Sequence, residues 1–183
     1  MAMVYKHFIF RILQFLPLIL LFLICIKDDS LFHFKFFDLL SFNFQYIIIY
    51  YWVLKNPQIL GYGFIFLAGI ITDVILGLPI GISSLSFLTV ALVATYVRIV
   101  TVKITLLVDW LTFIPALLAA NLIYFLVLYF NDIYINYLNL LTTSFSTFII
   151  YPFAWGLFEV FRRFVKVSAQ WLILEPQLKA NRN

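Results

Sequence analysis

Two aspartates interrupt otherwise apolar stretches of this chain. Asp73 is the sole charged residue between Asn56 and Val97, a run of 42 residues, and Asp109 stands beside Trp110 just ahead of the uncharged run Leu111 to Phe130. Two carboxylates sharing one proton are the working parts of an aspartyl protease, because close like charges split their pKa values. The expected helices keep this pair apart. Asp73 lies about 14 residues, or roughly 21 Å, along an outward-running helix, whereas Asp109 sits near the inner start of a later one. Proton sharing fails on geometry.

Asp73 by itself is still informative. A lone carboxylate in an apolar span costs a few kcal/mol to insert, so it should face the bundle interior, water or a partner. Gly69, Asp73, Gly77 and Gly81 recur every four residues. Through Gly77 that spacing lines one helical face, and small residues there let another backbone approach closely. A helix-packing groove, with Asp73 capping or bonding a neighbouring helix, is favoured over a direct ligand, proton or partner contact. At the outer end of its helix, Asp73 could also draw on water to lower its cost.

Other chemistry lacks its parts. The chain has no HExxH, P-loop, GxSxG or CxxC pattern, so the common zinc, phosphate and acyl-transfer solutions are missing their residues. His7 and His33 fall in a terminus and an outer loop. Ser83 and Ser84 open a helix and suit a cap or a helix contact better than a nucleophile. Glu159 sits beside Arg162 and Arg163 as an interfacial charge cluster. Cys25 is the single cysteine, which excludes an internal disulfide and any multi-cysteine metal site. No enzyme and no cofactor are expected.

These residues must be positioned by membrane helices. Apolar residues make up 65% of the 183 and charged residues 11%, far from an ordinary soluble domain. A small water-soluble fold could not hide that much hydrocarbon. The expected class is an all-α polytopic membrane protein with about six helices in one bundle. The spans are His7–Ile26, Leu39–Leu54, Ile59–Leu76, Ile82–Val97, Leu111–Phe130 and Leu140–Phe158. No cleavage pattern follows the first, so it is read as retained. The second is the shortest, 16 residues marred by Asn43 and Gln45. Its Tyr50-Tyr51-Trp52 cluster reads as an interfacial aromatic belt. Gly77-Leu78-Pro79-Ile80-Gly81 breaks the third from the fourth. Residues 1–160 form the bundle and 161–183 a basic amphipathic and polar tail. Arg162, Arg163, Lys166 and Trp171 would lie there in the headgroup layer, attracted to anionic lipid, with docking of a cytoplasmic partner as the competing role.

Orientation follows from the cations. With both termini cytoplasmic, Lys6, Arg11, Lys55, Arg98, Lys103, Arg162, Arg163, Lys166, Lys179 and Arg182 lie inside, and only Lys27 and Lys35 outside. That is a strong positive-inside bias. A five-helix model with the N-terminus outside exchanges Lys6 and Arg11 for Lys27 and Lys35 and scores equally, so the count hangs on the second segment. The cations punctuate apolar segments instead of forming one soluble face, so no nucleic-acid partner is expected.

The stretch Gly61 to Tyr96, GYGFIFLAGIITDVILGLPIGISSLSFLTVALVATY, resembles the rod shape-determining MreD family. Gly69, Asp73, Gly77, Pro79, Gly81 and Leu85 match that family's pattern in order and spacing. Tyr51-Trp52 before a polar turn, and Pro152 and Trp155 before the basic end, resemble it too. The first outer loop and the polar C-terminal tail depart from the pattern. The resemblance implies a non-catalytic inner-membrane subunit of the bacterial elongation machinery. Its implied partners are MreC, MreB and RodA with its transpeptidase, and its implied task is organising lateral peptidoglycan synthesis. The face of Gly69, Asp73 and Gly77 would stabilise the bundle or receive MreC's single helix. The rival reading is a substrate-binding membrane subunit of a vitamin-type transporter, whose S components are also six-helix bundles and could share the fold. Those subunits often carry an alanine-rich first helix, and Ile12 to Ile26 contains no alanine.

Overall fold

The computed structural model describes residues 15–26, 43–101, 105–132 and 137–180, with side chains described up to Val165. Among the described residues every element is a helix. In chain order they are α1 (Phe15–Ile26), α2 (Phe44–Lys55), α3 (Tyr62–Leu76), α4 (Ile82–Val100), α5 (Leu106–Phe130) and α6 (Tyr137–Ala180). Among the described residues α4, α5 and the Tyr137–Val165 part of α6 are long and apolar enough to cross a membrane, and α1 and α3 are shorter apolar helices. The architecture is a helical membrane bundle. The expected residues 7–14 of the first span, the polar stretch Lys27 to Asp38 and residues 39–42 of the second span lie outside the described residues.

The segment that looked weakest in the sequence forms the centre. Every residue of α2 from Tyr46 to Leu54 is buried, and the helix packs against α4, α5 and α6. A helix that is apolar all round has no face to give to water and is stable only when surrounded. The expected aromatic belt is therefore corrected: Tyr50, Tyr51 and Trp52 are core residues. Tyr50 meets Phe113 of α5 and Tyr151 of α6 at centroid distances of 5.1 and 5.9 Å, and Phe113 stacks on Tyr151 at 4.5 Å. Tyr51 and Trp52 pack on Phe158. Such tilted and offset ring pairs add to what area burial alone contributes. On α1 the buried residues Pro17, Leu21 and Cys25 recur every four positions, one helical stripe turned to the core.

Several boundaries shift from expectation. α3 opens at Tyr62 instead of Ile59, α4 runs on to Val100, and α6 opens at Tyr137 instead of Leu140. Two further shifts bear on charged residues. α5 begins at Leu106 instead of Leu111 and so takes Asp109 into its first turn, where the helix dipole favours a carboxylate. α6 continues past Phe158 to Ala180 over a total of 44 residues. Glu159 pairs there with Arg162 and Arg163 at helical i,i+3 and i,i+4 spacing, so the charges support the helix instead of ending it.

Candidate functional site

Three polar centres lie inside or at the edge of the bundle. The first is the α3–α4 hairpin that holds Gly69, Asp73, Gly77, Pro79 and Gly81. α3 packs on α4, and at Gly69 the contact is backbone to backbone: an added Cβ would overlap Ser84 Cα and lie 2.5 Å from Ser84 N. Ser84 uses that approach to donate its hydroxyl to the Phe66 carbonyl at 3.0 Å. Gly77 and Gly81 take left-handed conformations, with φ of 65° and 112°, which glycine adopts without a Cβ penalty. Gly77 thereby ends α3 and returns the chain, and the Leu78 amide donates to the Asp73 carbonyl at 2.9 Å.

Asp73 is wholly buried, and its carboxylate caps the next helix. The Gly81 amide donates to Oδ2 at 2.7 Å and the Ser83 amide to Oδ1 at 2.8 Å. The opening amides of a helix have no partner within it, and a carboxylate there also sits favourably at the positive end of the dipole. Both oxygens of Asp73 are thus occupied by backbone of its own hairpin. Among the readings open for this residue, the geometry is that of a carboxylate bonding a neighbouring helix. Asp73→Leu removes both acceptors and strands two amides, at about 1–3 kcal/mol each, whereas Asp73→Asn keeps one acceptor oxygen. The unfolding midpoint in detergent should therefore fall in the order wild type, Asp73→Asn, Asp73→Leu; equal midpoints for the two variants would refute the double-cap assignment.

The second centre was not found by sequence reasoning. It joins three helices at the end of the bundle where α2 stops and α5 starts. Lys55 Nζ lies 2.9 Å from Asp109 Oδ2, with side-chain exposures of 8% and 1%. The Trp155 indole N–H of α6 donates to the same oxygen at 2.8 Å, and the Lys55 ammonium stands 5.8 Å from the Trp155 ring centroid. Tyr50 donates to Thr112 Oγ1 at 2.8 Å nearby. Asp109 Oδ1, Trp52 Nε1 and Tyr151 Oη are buried without a hydrogen-bond partner among the described residues. A buried charge pair needs such added donors to offset its desolvation. One signal could have pointed here: opposite charges bound α2 and α5 at the same expected depth, and intramembrane charges seek each other.

The third centre follows one turn beyond Trp155 on α6. Glu159 accepts from Tyr51 at 3.0 Å and holds Arg162 by two guanidinium nitrogens, at 2.7 Å from Nη2 to Oε1 and 3.1 Å from Nε to Oε2. Arg163 approaches the same carboxylate at 3.4 Å with its side chain 75% exposed. Of the residues expected at the headgroup layer, Arg162 is turned onto protein and Arg163 faces outward. The side chains of Lys166 and Trp171 lie outside the described residues. Earlier on α6, Ser144 accepts from the Asn121 amide of α5 at 2.7 Å. Asp73 and Asp109 are separated by the length of α4 and have different partners.

Chemically, these centres join helices: α3 to α4, α2 to α5 and α6, and α2 again to Glu159 midway along α6. Among the described residues no group of three or more His, Cys, Asp or Glu side chains is placed to hold a metal ion. A family model described as rod shape-determining protein MreD matches residues 10–165. No curated protein and no solved structure matches the chain.

Proposed function

The chain belongs to the MreD family of rod shape-determining membrane proteins, and we propose that within rod shape determination it is a non-catalytic scaffold of the bacterial inner membrane. The observation that carries this reading is where its polar side chains go. Asp73, Asp109 and Glu159 each bond to a second helix or to the start of one, so the intramembrane charges hold the bundle together. A body locked in this way presents fixed apolar faces to other membrane helices, which suits a subunit that positions partners.

The partners in this reading are MreC as a direct contact, and MreB and RodA-type synthesis machinery in the same assembly. Both termini lie in the cytoplasm. Lys55, Arg98, Arg162 and Arg163 then stand at the inner face, and the helix beyond Val165 forms the cytoplasmic tail, with Arg163 available to anionic lipid. The packing of Gly69 on Ser84 uses the small-residue face within the chain, which supports a bundle-stabilising role for that face over reception of MreC. Depletion of the protein from a rod-shaped host should round the cells while growth on every vitamin stays normal. Cells that keep their rod shape under depletion would overturn the scaffold reading.

A further inference from the structure

A membrane helix that runs through a proline must find another donor for one of its carbonyls. Pro152 lies in the Tyr137–Val165 part of α6, and the helix continues through it. Proline has no amide hydrogen, so the carbonyl four residues back loses its intrahelical bond, and the ring crowds that same carbonyl. Here that carbonyl belongs to Phe148. Bulk water is not at hand within the bilayer, and prolines are tolerated there where neighbouring groups satisfy the freed backbone.

The neighbour is α5. The Trp110 indole N–H donates to the Phe148 carbonyl at 3.0 Å. Its ring also stacks on the Phe148 ring, with centroids 5.0 Å apart and planes 14° from parallel. An indole has one donor and no acceptor. A single bond therefore satisfies the freed carbonyl and leaves no polar atom of the Trp110 side chain unpaired. We propose that Pro152 is a hinge in α6 and that Trp110 is its latch, holding the two halves of the helix in one relative orientation. The inference rests on the membrane bundle and is independent of the scaffold role.

The bonds on either side of Pro152 support this assignment. Before it, Ser144 accepts from Asn121 of α5, and Thr147 accepts from the Asn43 amide at the start of α2. After it, Trp155 donates to Asp109 of α5 at 2.8 Å and Glu159 accepts from Tyr51 of α2. Each half is thus anchored to the bundle by its own bonds, and Trp110 acts at the break between them. Asp109 and Trp110 are consecutive in α5. Adjacent positions of one helix therefore grip α6 on both sides of its proline, one by accepting an indole N–H and the other by donating one.

The test uses the full chain with Cys25→Ala and spin labels at Phe145→Cys and Phe164→Cys, both exposed positions of α6. The protein is reconstituted in phosphatidylglycerol–phosphatidylethanolamine vesicles. The labelled positions lie about 28 Å apart along a straight helix, within reach of dipolar spectroscopy. With Trp110 intact the distance distribution should be narrow. Trp110→Phe keeps a ring against Phe148 but removes the N–H, and it should broaden the distribution. Adding Pro152→Ala supplies the Phe148 carbonyl with an amide from α6 itself, so the distribution should narrow again. Ser144→Ala removes a different bond between α5 and α6 and should leave the distribution narrow. An unchanged distribution in Trp110→Phe overturns the proposal, and so does equal broadening in Ser144→Ala. Broadening that survives Pro152→Ala overturns it too, because the bond would then have no connection to the missing amide. If Pro152→Ala fails to fold, the comparison of Trp110→Phe with Ser144→Ala still decides.

Discussion

A single methyl group at position 69 should force α3 away from α4. The atoms that a Gly69→Ala side chain would strike are Ser84 Cα and N, which belong to the facing backbone. No rotamer change can clear them. Separating the helices also lengthens the bond from Ser84 to Phe66 and pulls Asp73 from the amides of Gly81 and Ser83. Overpacking a tight core costs about 1–3 kcal/mol and occasionally more, and here the loss of a two-point cap is added. Gly63 on the same helix supplies the control, since an added Cβ there meets nothing within 4 Å. Gly63→Ala should leave stability unchanged or raise it by up to about 1 kcal/mol, the usual gain of alanine over glycine in a helix. Equilibrium unfolding in mixed micelles reads both. Ser84→Gly should fail to rescue Gly69→Ala, because the clash is with main chain. Similar midpoints for the two alanine variants would show that the hairpin is looser than its geometry.

The second large effect is expected at Lys55. Removing one member of a buried ion pair leaves an uncompensated charge, which typically costs about 3–5 kcal/mol. The two sides of this pair differ. Lys55 ends α2 beside the polar turn Asn56-Pro57-Gln58 and has a long stem, so it can swing its ammonium toward water. Asp109 is short and held in the first turn of α5. Lys55→Met should therefore be more damaging than Asp109→Asn. The double replacement Lys55→Met with Asp109→Leu removes both charges and should recover much of the loss. Its coupling energy, from a full cycle including Asp109→Leu alone, should exceed about 1 kcal/mol, as for residues in direct contact. An additive cycle would mean that the 2.9 Å contact contributes no coupling between the two side chains.

Much of the hairpin was legible because its causes are local. Asp73 lies eight residues before Gly81 and ten before Ser83, and the intervening Gly77 and Pro79 announce a reversal on their own chemistry. The small-residue spacing through Gly69 marked a face where backbones could meet. The choice of Ser84 as the surface met is tertiary. The Lys55–Asp109–Trp155 centre was hidden for the opposite reason, since Trp155 lies 46 residues after Asp109. Within its own segment Asp109 looks like a boundary charge, which places the expected start of α5 at Leu111 instead of Leu106. Its burial becomes tolerable only when two other helices bring a cation and an indole N–H to it.

Membrane residence, helical class and the family pattern follow from sequence alone, because each depends on composition or short-range spacing. The rank of the helices does not. Judged singly, α2 is a short segment with polar flaws and an aromatic cluster fit for an interface. In the bundle it is the element the others enclose, because its tyrosines and tryptophan find rings on α5 and α6 that no local pattern reveals. Likewise the sequence marks Asp73 as a lone carboxylate inside an apolar span and Asp109 as a charge at a span's edge. Tertiary structure made one the cap of its own hairpin and the other half of an ion pair across three helices, since a buried charge takes its role from the partners that packing brings within about 3 Å.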